Sequence, residues 1–552
     1  MAPPAQHRAS TSASDIPLAD LEAGPRATSH STDSSRWNGF SQFHPSNILA
    51  NPNGLAPKVS QEDWLAYTED LGHRLTVALT PSFLQQYVGG GTPPPTKLHA
   101  IAALDGLRGW ACLLVFNFHF LFTYTWKVAE GWGFARENFG IHQLPFLHML
   151  ISGHIMVAIF FVISGYVLSY KPLKTIRSRS FEEAFTVLAS STFRRALRLY
   201  IPSITGLACV FVAVRLGLYN YSWGVIKEGH TIVGTNEQHP PIYRSSIRQF
   251  WDLYHTITIL MNPFDWGLFY NNYNPHLWTI PVEFRCSIVL FITILATSRL
   301  TSIIRMPLVA SLIWFCSRYG RWDVILFLCG MLMAEIDLIN GTWERPANSS
   351  AVRDDRTHIR LRPGGKIFAT VSRRRLWLAI FVLGLYFGSS PNLGFKWTPG
   401  YMWIWKITPK TYGEPHRFPQ TIGATLIVFG INHSPDIQKL FTNPLSQYLG
   451  KISFAFYIVH GPILHSLGYS IMPSIWAVTG KESNFQYCLG FLIGWSICLP
   501  ISIWAGDVFW RAVDVPSVRF ARWIENQIIA KGSPATGTPS LSTPRAQTPR
   551  NQ

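Results

Sequence analysis

The chain carries none of the short signatures that mark the common soluble enzymes. It has no Gly-x-x-x-x-Gly-Lys-Ser/Thr run, so it has no phosphate-binding loop of that kind for ATP. His-Glu-x-x-His and Gly-x-Ser-x-Gly are absent, which removes the zincin and serine-hydrolase readings that rest on them. The His-x-x-x-Asp pattern of many soluble CoA-dependent acyltransferases is also missing. Only 7 cysteines occur, all in apolar runs and none in Cys-x-x-Cys spacing, so they read as small packing residues rather than disulfide partners or metal ligands. Acidic residues are scarce: 30 Asp and Glu stand against 47 Lys and Arg, a net charge of +17. No nucleic-acid motif accompanies that charge, which gathers between apolar runs, where it sets membrane topology. No short apolar core follows a basic start, so the first membrane helix is expected to serve as the insertion signal.

What the chain does have is apolar runs long enough to cross a bilayer, a task for about 20 helical residues. The runs lie at 109–126, 147–170, 201–218, 276–297, 302–317, 322–340, 376–390, 420–432, 448–470 and 486–508. They predict an all-α, polytopic transmembrane bundle of about ten spans. Trp110, Trp126, Trp251, Trp278, Trp377, Trp397, Trp403 and Trp405 sit near run ends, as an interfacial aromatic belt requires. The segment 249–261 reads as interfacial or re-entrant. With the N-terminus in the cytosol, the Lys- and Arg-rich stretches 171–200 and 341–375 fall on the cytosolic side, and the loops 123–146 and 219–275 on the other. Around the membrane domain at 101–510, residues 1–60 are expected to be a disordered polar tail. Residues 61–100 read as a partly helical juxtamembrane segment ending in a Gly/Pro linker, and 511–552 as a tail that is disordered beyond about 530.

Ionisable residues inside apolar runs are costly, so each is a candidate for function. Arg108 and His119 lie eleven positions apart on the first predicted helix, almost three whole turns, so both face one way about 16 Å apart along the axis. That suits a long substrate with phosphates at the mouth and its reactive end at the imidazole; snorkelling by Arg108 and packing by His119 explain the residues equally. In the second run Ser164 and Gly165 read as helix-contact residues, and Tyr166 as an aromatic packer or a hydroxyl donor. Arg194, Arg195 and Arg198 make a basic patch fit either for phosphate or for anchoring beside anionic lipid. His276 and Glu283 open the fourth run; Glu283 has three readings, as orienter of an imidazole, proton acceptor or partner of a structural arginine such as Arg285. His460 reads as structural, beside Pro462.

Five pieces together resemble the acyltransferase 3 family of membrane O-acyltransferases: LDGLRG (104–109) with His119, FFVISGYVLS (160–169), RRALRLYIP (194–202), HLWTIPVEF (276–284) and LGKISFAFYIVHGP (449–462). The long polar tails are more similar to the fungal branch of that family. The resemblance implies ten or more helices, an acyl-CoA donor, with acetyl the simplest acyl group, and a hydroxyl acceptor on a small molecule, such as a secondary metabolite, or on a glycan. It implies that Arg108 and His119 are essential and that Arg194, Arg195, Arg198 and Glu283 are further functional positions. On this reading the arginines hold the donor phosphates, and His119 is either general base or covalent acyl carrier, with Glu283 beside it. Tyr166, His276 and His460 are supporting candidates, and no metal or bound redox cofactor is required. The expected location is the endoplasmic reticulum or another endomembrane. A transporter or lipid scramblase is the rival class, although no repeated halves are visible.

Overall fold

The computed structural model describes residues 71–88, 98, 101–227, 229, 231–237, 239–342 and 373–528. The expected tails at 1–60 and beyond about 530 lie outside these residues. The described part is all-helical, with no named strand and one isolated bridge between Glu130 and Leu393.

The main helices are α1 (Ala102–Phe122), α2 (Gly153–Arg177), α3 (Phe181–Arg215), α4 (Ser246–Leu260), α5 (Thr279–Ala296), α6 (Ser302–Arg318), α7 (Trp322–Asn340), α8 (Arg373–Gly388), α9 (Arg417–His433), α10 (Pro444–Ile463), α11 (Asn484–Phe509) and α12 (Val515–Ile528); ten of them, all but α4 and α12, fall on the ten predicted runs. Among the described residues, four helical stretches are both long and apolar enough to cross a membrane unaided: Gly153–Arg177, Phe181–Arg215, Pro275–Ala296 and Asn484–Ile528. Large apolar side chains such as Ile303, Trp314 and Phe315 on α6 and Leu492 on α11 stay exposed on the outside. That is the surface a lipid environment covers.

The largest differences from the sequence expectation fall at the start of α3 and after α11. α3 begins at Phe181, twenty residues before the predicted 201, so the arginine patch is in mid-helix instead of in a loop. Its first turn carries Glu182 and Glu183, which favour a helix start, and Pro202 is accommodated inside. The run 249–261 forms α4, whose outer face leaves Phe250, Trp251 and Tyr254 exposed. Helix continues past 508 through a π-turn at Trp510–Asp514 into α12, which packs on α3.

Glycines set the helix spacing. A Cβ on Gly109 would run into the Gly450 backbone and one on Gly450 into the Asp105 carbonyl, so α1 and α10 touch backbone to backbone. Gly165 of α2 meets Phe327, and Gly330 of α7 meets Val162 and Tyr166, in the same manner. The described stretch 71–88 is fastened to the bundle as well. Ser82 donates from N and Oγ to Asp507 Oδ2 at 3.0 and 2.6 Å, and Trp504 Nε1 donates to the Leu79 carbonyl at 2.7 Å.

Candidate active site

The α1–α10 pair carries the ionisable groups that matter. His119 lies near the end of α1, and His460 lies in α10 beside it, with ring centroids 5.5 Å apart. His276, in the 3-10 turn before α5, brings its ring centroid to 3.7 Å from His119 and 4.9 Å from His460. Gly461 makes room for it, since a Cβ there would run into His276 Nδ1. The His276 turn is tied to α10 by Tyr457, whose hydroxyl donates to the His276 carbonyl, and by Asn274 Nδ2, which donates to the Ile458 carbonyl at 2.9 Å.

The carboxylate of this centre is Glu237, from the loop between α3 and α4. Val233 N and Gly234 N donate to the Thr123 carbonyl at 2.8 and 3.1 Å, which pins the loop to the end of α1. Gly234 is needed there, because a Cβ would meet the Phe122 carbonyl. Glu237 Oε1 then lies 2.9 Å from His119 Nδ1, and Oε2 lies 3.0 Å from His465 Nε2 and 3.4 Å from His276 Nε2. Burial pushes the Glu237 carboxyl up, but the imidazoles of His276, His119 and His465 around it outweigh that effect. The net result holds the carboxyl well below its usual range. A carboxylate accepts, so this contact fits the His119 tautomer with Nδ1–H toward Glu237 and the lone pair on Nε2. Of the His119–Glu237 pair, the imidazole is the open member: its side chain is 17% exposed against 3% for Glu237.

Neither Glu237 nor His465 is visible in the sequence as a site residue. Glu237 sits in a polar loop without periodicity. His465 is five residues after His460, which on a straight α-helix turns it about 140° away. A π-turn at Leu464–Gly468, just after Pro462, reshapes that stretch, and His465 meets Glu237.

The other predicted residues are spread over the bundle. Glu283 is bound to Arg195 Nη2 at 2.6 Å and Ser164 Oγ at 2.9 Å, and Arg195 Nε also donates to Ser287 Oγ at 3.0 Å. The place beside His119 expected for Glu283 is held by Glu237, because α3 turns Arg195 inward onto Glu283. Arg194 faces the other way, 3.1 Å from Glu525 of α12, on the wall of a cavity of about 360 Å³ that Lys171, Ser190 and Arg522 also line. Arg198 and Arg108 both lie near enough to Asp514 to favour its carboxylate. Arg108 also pairs with Asp105 at 3.5 Å. Tyr166 donates to Asp337 Oδ2 at 2.7 Å, in a buried group with His433, well packed between α2 and α7. Of the predicted set, His119, His276 and His460 come together.

A second buried polar group adjoins the first. Phe118 has His119 on one side and His154 on the other, at 5.2 and 5.1 Å between centroids, and His154 faces His416 at 5.3 Å. Next to His416, Arg417 binds Glu414 through Nε at 2.6 Å and lies over Trp322 and Trp278 at 4.4 and 5.5 Å. Its Nη1 and Nη2 have no partner among the described residues. Two trios in this region have metal-ligand spacing: His119, His276 and His460, and Glu237, His276 and His465. One ligand atom of each member lies within 4.8 Å of the others.

The helical bundle holds a buried imidazole–carboxylate pair, and comparison with known proteins gives its class, an acyltransferase, and its family. The profile of the acyltransferase 3 family, described as an acyltransferase domain, matches residues 101–511, and the chain belongs to that family. It is similar to the O-acetyltransferase PaAT-1 of Phomopsis amygdali, 32% identical over 467 residues that cover 82% of this chain and 88% of that protein. Acyltransferase R4 of a Phoma species is 26% identical over 471 residues, covering 77% of this chain and 96% of its own, and acyltransferase clz18 of Cochliobolus lunatus is 26% identical over 461 residues, covering 77% and 95%. No solved structure matches.

Proposed function

We propose that this chain is an O-acyltransferase that moves an acyl group, acetyl in the simplest case, from acyl-CoA to a hydroxyl of a small molecule or a glycan. The observation that carries the reading is the His119–Glu237 pair: a partly open imidazole whose Nδ1 is fixed by a buried carboxylate and whose Nε2 lone pair is left for chemistry.

The proposed topology has about ten spans with the N-terminus and the Lys/Arg-rich segments on the cytosolic side of an endomembrane. The donor enters at the Arg108–Arg198 end, where guanidinium forks suit its phosphates, with Arg194 nearby and Arg195 held by Glu283. Its pantetheine arm runs the three turns of α1 to His119, about 16 Å. The acceptor hydroxyl gives its proton to His119 Nε2 as its oxygen attacks the thioester carbonyl. Glu237 stabilises the imidazolium through Nδ1–H. The tetrahedral intermediate collapses, the carbon–sulfur bond breaks, and the imidazolium returns the proton to the departing CoA thiolate. His276, His460 and His465 set the orientation of this pair. The His416–Arg417 group beside Phe118 suits the acceptor, since the two open Nη groups seek oxygen.

The test is acceptor-dependent release of CoA thiol. Membranes holding the wild-type chain are supplied with acetyl-CoA and a panel of alcohols and glycans. Release that requires one acceptor, with acetyl recovered on it, is the expected result. Acceptor flux across the membrane with the thioester intact would favour the transporter instead.

A further inference from the structure

The histidine cluster holds more than an acid–base pair needs. Three imidazoles converge, and two of them have one nitrogen tied on the outside. His119 Nδ1 is held by Glu237 at 2.9 Å, and His460 Nδ1 donates to the Tyr457 carbonyl at 2.7 Å. His276 Nε2 faces Glu237 at 3.4 Å. A ring whose N–H points to a carboxylate or carbonyl presents a lone pair at its other nitrogen. Both His276 nitrogens and His460 Nε2 are buried and have no hydrogen-bond partner among the described residues, a costly state for polar atoms. His119 and His460 have the outer bonding that metal-bound imidazoles show, where an acceptor fixes the tautomer and raises ligand basicity.

We propose that His119, His276 and His460 form a binding site for a divalent cation of the zinc class. One ring nitrogen of each lies within 4.8 Å of the others. A tetrahedral ion with about 2.0–2.1 Å to each nitrogen needs them about 3.4 Å apart, so the rings close in by at most about 1.4 Å. Three protein ligands leave the fourth position open, and the partly exposed His119 gives the entry path. The neighbouring trio of Glu237, His276 and His465 suits a cation less. Both Glu237 oxygens already take imidazole hydrogens, and His465 Nδ1 has no outer acceptor. This departs from the sequence expectation that no metal is needed. It has a consequence for the reaction as proposed: a cation on His119 takes the lone pair that would accept the hydroxyl proton, so metal and proton compete for this centre.

The experiment uses the full chain purified in detergent, stripped with a chelator and titrated with Co²⁺ as the probe. Bound metal is counted by mass spectrometry, and coordination is read from visible absorption. The wild type is expected to hold one Co²⁺ per chain with tetrahedral bands. His276→Gln and His460→Gln are expected to lose at least tenfold in affinity, and Glu237→Gln, which loosens the outer bond of His119, about tenfold or more. A monodisperse wild type that takes up no stoichiometric Co²⁺ overturns the proposal. So does undiminished affinity in the monodisperse glutamine variants, which would put the metal on cysteines or other histidines. Acyl transfer is not read, so a failure of metal binding is distinguishable from a failure of the acid–base reading.

Discussion

Glu237→Gln separates the two carboxylates that compete for the role of partner to His119. The substitution keeps size and shape but removes the charge that accepts His119 Nδ1–H at 2.9 Å. Two effects follow. The imidazolium formed in the transition state loses a charge-assisted bond, worth about 1.5–3 kcal/mol. At about 1.36 kcal/mol per tenfold, that lowers kcat by about 10- to 150-fold. The amide can also present N–H to Nδ1, which moves the ring proton to Nε2 and removes the base altogether, so the loss sits at the upper end or beyond it. The assay is transfer of labelled acetyl to the acceptor by membranes matched for inserted protein, with kcat and KM resolved for the donor. A Glu237→Gln variant within twofold of wild-type kcat would refute the reasoning.

The remaining predictions address other parts of the bundle. Glu283→Gln frees Arg195 from its 2.6 Å ion pair and is expected to raise KM for the donor more than it lowers kcat. A kcat loss equal to that of Glu237→Gln at unchanged KM would return Glu283 to the side of His119. Arg108→Ala removes the phosphate contact proposed for the donor and is expected to raise donor KM by about 10- to 150-fold, and an unchanged dependence on acetyl-CoA concentration would count against it. Gly165→Val drives a side chain into the Phe327 backbone, an overpacking cost of about 1–3 kcal/mol or more, and is expected to lower the melting temperature of the solubilised protein. An unshifted melting curve would contradict the α2–α7 contact.

Much of the fold was readable because membrane helices announce themselves locally. Apolar length, Trp at the ends and the eleven-residue spacing of Arg108 and His119 are properties of one helix at a time, and the 3.6-residue period turns them into geometry. The small residues at 164 and 165 likewise pointed to a close contact, which Gly165 makes with Phe327. The site was only half legible. His119, His276 and His460 lie in apolar segments where an imidazole stands out, so each was a candidate, but their meeting depends on the crossing of α1 and α10 and on the turn before α5. Glu237 had no local signal: its position comes from two backbone hydrogen bonds to Thr123, a contact between loops that no spacing rule predicts. His465 was masked by the assumption of a regular helix, which the π-turn after Pro462 breaks. The arginines at 194, 195 and 198 were read as one patch from spacing alone. Their neighbours divide them, with Glu525 drawing Arg194 outward and Glu283 drawing Arg195 inward.

The central claim is that His119 accepts the proton of the acyl acceptor. The most direct measurement compares turnover of wild type and His119→Ala, in membranes with equal inserted protein and saturating acetyl-CoA and acceptor. Loss of the base is predicted to lower kcat by about 10²–10⁴-fold. Near-normal turnover in His119→Ala would contradict the account.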